Sequence, residues 1–231
     1  MQVEICASTL RDVAVAMEVG ADRVELCSVW TAGGLTPSAV LVQSAVAMGM
    51  PVRALVRPRE GHFVWSNSER TWSVEEAKLM LDCGAEAVVV GGLNEEGTLD
   101  EAYLEAMCRA AGPEHLVWHR AIDVSQEPEA DVDRLLDVGV TSVLSSGGCA
   151  RAVEGLPRLA RWAEQGLQVV AGGGVRPEDV EAMASANLSA VHASCRITLR
   201  EGHSPLFDSA THPVDVDKAV ALMDAAEPFL S

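Results

Sequence analysis

Residues 20–27 read G-A-D-R-V-E-L-C. The glycine at their start, Gly20, follows a helix-like stretch and precedes a short apolar run. A helix that turns back toward a sheet needs a left-handed residue just past its end, and glycine or asparagine adopts that conformation at the lowest cost. The same arrangement recurs about every 28 residues, at Gly20, Gly49, Gly84, Gly112, Gly139, Gly166 and Asn187. Together with a strand at the start of the chain, the pattern predicts eight strand-and-helix units.

Eight such units in 231 residues predict a compact parallel (β/α)8 barrel, the TIM barrel, which typically takes about 250 residues. A doubly wound open sheet uses the same alternation, but eight units without an irregular edge favour the barrel. No linker or charge block divides the chain, so residues 1–231 are expected to form one domain, with a last helix at about 214–226. The strands are predicted within residues 2–196, at 2–6, 23–26, 52–56, 87–90, 116–119, 142–144, 168–171 and 190–193.

Composition excludes several classes of partner. The chain carries 17 basic and 34 acidic residues, a net charge of −17, whereas a phosphate backbone is bound by clustered lysines and arginines. Nucleic acid is therefore not expected. Met1 leads directly into the first strand, and no apolar stretch of about 18 residues is present, so neither a leader nor a membrane span is expected. These features predict a cytoplasmic protein.

The six cysteines form no C-x-x-C pair, so neither a zinc ribbon nor a thioredoxin-like motif is present. In the cytoplasm they are expected to be reduced, and most are expected to be small buried residues. They are Cys6, Cys27, Cys83, Cys108, Cys149 and Cys195.

The carboxyl ends of the first two predicted strands carry polar side chains. Side chains alternate along a strand, so Glu4 shares a face with Cys6, and Glu25 shares a face with Cys27. The intervening valine, isoleucine and leucine residues suit packing against outer helices. Two carboxylates and two thiols are therefore predicted to point into the barrel, at the end where barrel enzymes bind their ligands.

Further charged groups follow the third, fifth and eighth strands. Arg57 and Arg59 follow strand three, His119 and Asp123 follow strand five, and His192 lies in strand eight. Buried charges need partners, so these side chains form either an ion-pair network that fills the barrel end or a binding site. Polar endings on five strands together favour the binding site.

The seventh predicted strand ends in a glycine run, A-G-G-G-V at 171–175, with Gly173 at its centre. Such a turn either offers backbone N–H groups to an anion or is simply a tight turn. The only lysines, Lys78 and Lys218, lie in helix-like stretches, so Schiff-base and pyridoxal phosphate chemistry is not expected. No nucleotide-binding motif is present.

These residues together resemble the CutC family, which is named for copper homeostasis. The resemblance rests on V-E-I-C at 3–6, G-A-D-R-V-E-L-C at 20–27, G-G-L-T-P-S at 33–38, R-P-R at 57–59, H-R-A at 119–121 with Asp123, S-G at 146–147, G-G-G-V at 172–175 and His192. It implies a cytoplasmic TIM barrel that often forms homo-oligomers. The family's usual G-G-D-F reads E-G-H-F at 60–63, its aromatic residue before the serine is Trp65, and its H-R-A-F-D has Ile122.

Two functions follow from the residues and the resemblance. Some family members are described as Cu(I) binders through cysteines, and the matching positions are Cys6 and Cys27, whose thiols are expected about 5 Å apart. The alternative is an enzyme for a small anionic metabolite, which Arg57 and Arg59 would clamp while His119 or His192 moves a proton.

In that enzyme Glu4, Glu25 and Asp123 would orient the histidines or hold Mg²⁺ or Mn²⁺. A purely structural protein is a weaker reading, because no heptad seam or basic tract is present. Trp30, Trp65 and Trp72 would shield the mouth, contact a second subunit or pack in the core.

Overall fold

The computed structural model describes residues 1–200 and 210–230 and contains eight parallel strands closed into a barrel. Strand β1 pairs with both β2 and β8, so no edge is left, which confirms the TIM barrel and excludes the open sheet. Every predicted strand is found, and no end differs by more than one residue. The strands are β1 (Gln2–Ala7), β2 (Arg23–Leu26), β3 (Val52–Leu55), β4 (Ala87–Val90), β5 (Leu116–Trp118), β6 (Ser142–Ser145), β7 (Gln168–Gly172) and β8 (Ala190–Ala193).

Eight helices alternate with these strands in the described part of the chain. They are α1 (Leu10–Glu18), α2 (Ala39–Ala47), α3 (Asn67–Asp82), α4 (Glu101–Ala111), α5 (Pro128–Asp137), α6 (Leu156–Glu164), α7 (Val180–Ser185) and α8 (Val216–Ala226). All seven residues expected to end helices have positive φ, between 56° at Asn187 and 102° at Gly166. Helix α8 begins two residues later than predicted, because Asp215 caps it by accepting from the Lys218 backbone N–H.

Alternation along the strands produces two separate apolar layers. Val3 and Leu26, fully buried, lie in the outer layer between the strands and the helices. Cys6 and Cys27 lie in the inner layer with Leu55 and other residues that fill the barrel. The predicted division of β1 and β2 into an outward and an inward face is confirmed.

The chain after β8 folds back against the start of the barrel. The guanidinium of Arg196 pairs with Asp12 at 3.3 Å and donates to the Cys6 carbonyl at 3.1 Å, and it also donates to the His212 carbonyl. A short antiparallel pair, Leu199–Arg200 with Ala210–Thr211, follows before α8. Residues 201–209 and Ser231 lie outside the described residues, so one domain over residues 1–231 stays a prediction. No described helix has both the length and the apolar character that crossing a bilayer requires.

Candidate functional site

A cavity of about 670 Å³ opens at the carboxyl ends of the strands, where active sites of this fold lie. Its volume falls within the range of about 300–1,000 Å³ that is usual for small organic ligands. We call it the mouth cavity. The residues that line it include Cys6, Glu25, Cys27, Trp30, Leu55, Arg57, Phe63, His119, Arg120, Leu144, Gly173, Arg176, Glu178, His192, Cys195, Arg196 and Lys218.

Two thiols form part of the wall of the mouth cavity. The Sγ atoms of Cys6 and Cys27 are 3.8 Å apart, and both side chains are almost completely buried. The hydrogen bond to Cys27, together with burial, raises the pKa of the Cys6 thiol well above its usual range. The sequence reasoning expected this proximity, and the structure brings the two thiols together.

Glu4 lies beneath these thiols and does not line the mouth cavity. Its Oε2 accepts from Arg23 Nε at 2.6 Å, and Arg53 Nη1 lies 3.5 Å from the same oxygen. Its Oε1 lies 2.8 Å from His192 Nδ1. Burial opposes ionisation, but the His192 hydrogen bond and the Arg23 charge outweigh it, so the pKa of Glu4 falls well below its usual range. Glu4 thus orients His192 instead of meeting a ligand.

His192 and Glu25 bring a second set of polar atoms close to Cys6. His192 Nδ1 lies 4.0 Å from Glu25 Oε2, and that carboxylate oxygen is buried without a hydrogen-bond partner among the described residues. Burial raises the pKa of Glu25 to about 7. Burial alone would lower the pKa of His192, but the neighbouring carboxylates and the Cys6 hydrogen bond raise it. One donor atom from each of Cys6, Glu25 and His192 lies within 4.8 Å of the others, so the three can share one ion.

Arg57 and His119 line another part of the mouth cavity, and both pack on the Phe63 ring. The Arg57 Cζ lies 5.1 Å from the centre of that ring, and the His119 ring centre lies 5.1 Å from it. The His119 Nδ1 accepts from the Ala121 N–H, so the proton of the neutral ring is on Nε2. Burial and the Arg57 charge lower the pKa of His119 to about 3. At neutral pH His119 is an uncharged donor.

Besides Glu4, two more of the predicted site residues, Arg59 and Asp123, do not line the mouth cavity. Arg59 pairs with Glu69 at 2.6 Å, donates to the carbonyl of Val64, and stacks 4.9 Å from the centre of the Trp65 ring. The Asp123 carboxylate pairs with Arg120 and accepts from groups in the loop after β6, at Ser145 Oγ, Ser146 N, Ser146 Oγ and Gly148 N. In this structure each of the two holds a loop in place, and their parts in a substrate clamp or a hard-cation site stay predictions.

The glycine run forms a turn on the rim of the mouth cavity. Gly173 has a φ of +116°, and a Cβ built there would lie 3.1 Å from Ser146 Cβ and 3.2 Å from Arg120 Cζ. Glycine is thus required by the backbone and by the approach of the β6 loop. This explains Gly173 by packing, while its part in ligand binding stays a prediction.

We expect Gly173→Ala to lower the free energy of unfolding by about 1–3 kcal/mol, because it adds backbone strain and displaces Ser146. Gly166→Ala is the matched control, since Gly166 has a φ of +102° and no atom within 4 Å of its built Cβ. Urea unfolding of both variants separates backbone strain from packing. Equal losses would show that the contact with the β6 loop contributes nothing.

The residues of the mouth cavity that the sequence reasoning missed include Cys195, Arg120 and Lys218. Cys195 has a φ of +46°, and burial raises its pKa to about 11. Arg120 lies beside a predicted residue and was not singled out. Lys218 is helical as expected, yet it also lines the cavity, and its Nζ donates to the Arg196 carbonyl at 2.8 Å. The sequence does not predict that Lys218 lines the cavity, because this depends on how α8 packs against the barrel.

The three tryptophans have three different environments. Trp65 is 2% exposed and donates from Nε1 to the Gly91 carbonyl at 2.8 Å, so it belongs to the core. Trp30 lines the mouth cavity beneath Arg196. Trp72 is half exposed on α3, away from the mouth cavity.

Comparison with known proteins places this barrel among its relatives. The family model described as the CutC family matches residues 1–197. The chain belongs to the CutC family. A CutC family protein of Agrobacterium fabrum is 35% identical over 212 residues, covering 90% of this chain and 82% of that protein. A CutC family protein of Chromobacterium violaceum is 37% identical over 199 residues, covering 84% of this chain and 81% of that protein.

A solved CutC structure extends the comparison to three dimensions. This chain superposes with a TM-score of 0.77, at 26% identity, on a crystal structure from Streptococcus agalactiae. The name given to that protein is copper homeostasis protein CutC. The match covers 83% of this chain and 97% of that chain. The family resemblance read from the motifs of β1 to β8 is therefore confirmed.

Proposed function

We propose that this CutC-family chain binds Cu(I) through Cys6 and Cys27 and serves copper homeostasis in the cytoplasm. The observation that carries the proposal is the pair of thiols 3.8 Å apart in the wall of an open cavity. Thiolates are the ligands that a soft cation such as Cu(I) prefers. Family membership supports the same conclusion.

The donor set fits a metal ion of this kind. With metal–sulfur bonds of about 2.3 Å, the value for zinc thiolates, a tetrahedral angle places the two sulfur atoms about 3.8 Å apart and a linear arrangement about 4.6 Å apart. The observed 3.8 Å therefore lets both thiols reach one ion with little movement. His192 and Glu25 supply further donor atoms near Cys6, and one Glu25 oxygen lacks a partner among the described residues. Glu4 would hold the His192 ring in place, as a carboxylate commonly does behind a histidine ligand.

The test is an anaerobic titration of the reduced protein with Cu(I) against a competing chelator. We expect the Cys6→Ser, Cys27→Ser double variant to bind Cu(I) at least about a hundredfold more weakly, because it loses both soft ligands. The matched control is Cys83→Ser, Cys108→Ser, which removes two thiols that lie outside the mouth cavity. Equal affinity in wild type and the Cys6, Cys27 variant would refute the proposal.

A further inference from the structure

The mouth cavity is lined by several positively charged side chains, although the chain as a whole has a net charge of −17. Five basic side chains line it, against the two carboxylates of Glu25 and Glu178. Three of the five have carboxylate partners: Arg120 with Asp123 at 2.7 Å, Arg176 with Glu178 at 3.6 Å and Arg196 with Asp12 at 3.3 Å. The other two are Arg57 and Lys218.

Arg57 and Lys218 donate only to uncharged groups among the described residues. Arg57 Nη1 donates to the carbonyls of Ala32 and Gly34, and its Nη2 donates to the carbonyl of Gly61. Lys218 Nζ donates to the carbonyl of Arg196. Neither side chain has a carboxylate within 4 Å in residues 1–200 and 210–230. Arg57 is 7% exposed, and a buried charge without an ion pair is costly. Lys218 is exposed, so water solvates its ammonium group and leaves it free to meet an anion.

Two buried N–H donors on the same wall also lack acceptors. Arg57 Nε and His119 Nε2 have no hydrogen-bond partner among the described residues, and Arg57 and His119 are 7% and 4% exposed. Both side chains pack on the Phe63 ring, so the two donors belong to one neighbourhood. Because the Ala121 N–H occupies His119 Nδ1, the free ring nitrogen is the one that donates. A buried donor without an acceptor is costly, and a water molecule or an anionic ligand next to Phe63 would supply the acceptor.

We propose that the mouth cavity binds a small organic acid with two anionic groups, one held by Arg57 and His119 and the other by Lys218. Each group is a carboxylate or a phosphate, the acceptors that guanidinium and ammonium groups bind best. The apolar side chains of Leu55 and Leu144, which also line the cavity, suit a short carbon chain between the two groups. The site uses none of the atoms assigned to copper, so it does not depend on the copper proposal.

Calorimetric titration of the full-length, reduced and chelator-treated protein tests this site. The probes are succinate, phosphoglycolate and succinamide, the last being a neutral analogue of succinate. Saturable binding of succinate or phosphoglycolate, with succinamide at least about tenfold weaker, is the expected result. The dianion that binds more tightly identifies the preferred group. Binding of neither dianion, or equal binding of succinate and succinamide, would overturn the proposal.

Variants of the two lysines provide a matched pair, since Lys78 lies on α3 and pairs with Glu75 at 2.7 Å, outside the cavity. Lys218→Met is expected to weaken binding of the preferred dianion about tenfold, Lys218→Arg to restore it, and Lys78→Met to leave it unchanged. His119→Asn retains an acceptor for the Ala121 N–H and should also weaken binding about tenfold. Unchanged dianion affinity in Lys218→Met and His119→Asn would refute the assignment. Cu(I) affinity of Lys218→Met should equal that of wild type, so failure of either proposal is distinguishable from failure of the other.

Discussion

Replacing Glu4 with glutamine is expected to lower the free energy of unfolding by about 3–5 kcal/mol, the usual cost of removing one partner from a buried ion pair. Glu4 is 1% exposed, and it is the carboxylate that Arg23, Arg53 and His192 all approach. Glutamine keeps the shape but removes the negative charge, which leaves Arg23 without its carboxylate partner and leaves Glu25 as the remaining carboxylate near both His192 and Arg53. Urea unfolding at pH 7 measures the loss.

Glu105→Gln is the control for this substitution. Glu105 pairs with Arg109 at 3.5 Å on the exposed face of α4, where water solvates both charges. Its loss is expected to cost less than about 1 kcal/mol. Similar losses of unfolding free energy in the two variants would mean that the Glu4 carboxylate does not stabilise the charges of Arg23, Arg53 and His192.

The fold could be predicted from local chemistry because each unit repeats the same local requirement. A residue of positive φ follows each of the seven predicted helices that lead to a strand, from Gly20 to Asn187. The regular spacing of these residues, with the strand at the start of the chain, gives the number of strands. The inward position of Cys6 and Cys27 was predictable as well, since it depends only on alternation along β1 and β2.

The site was less predictable where side chains leave the strands. Arg59 and Asp123 follow strand ends as Arg57 and His119 do, but loop backbone and hydroxyl groups engage them first. Sequence gives the order of residues at a strand end but not the direction in which a long side chain turns in the following loop. The arrival of Lys218 depends on tertiary packing of α8, and only the folded chain reveals it.

His119 links the mouth cavity to the stability of the protein in acid. Its pKa falls to about 3 in the folded chain, whereas the unfolded chain takes up the proton near pH 6.5. The stabilising contribution is therefore fully present above pH 6.5 and is lost as the pH falls toward 3. At about 1.4 kcal/mol per pH unit, acidification from pH 7 to pH 4 costs about 3 kcal/mol through this residue alone.

His119→Asn should remove that part of the acid sensitivity, because asparagine does not titrate. The difference between the free energies of unfolding at pH 7 and pH 4 is expected to be about 3 kcal/mol smaller in the variant than in wild type, as measured by urea unfolding. Other titrating groups, including His192 and Glu4, are present in both proteins and cancel in the comparison. NMR of ¹³C-labelled histidine provides an independent check, since the His119 ring of the folded wild type should stay neutral at pH 4. Two outcomes would contradict this: an equal pH dependence in both proteins, or a His119 ring that takes up its proton near pH 6. Either would show that water reaches the ring and hydrogen-bonds to Nε2, so that this donor does not lack an acceptor.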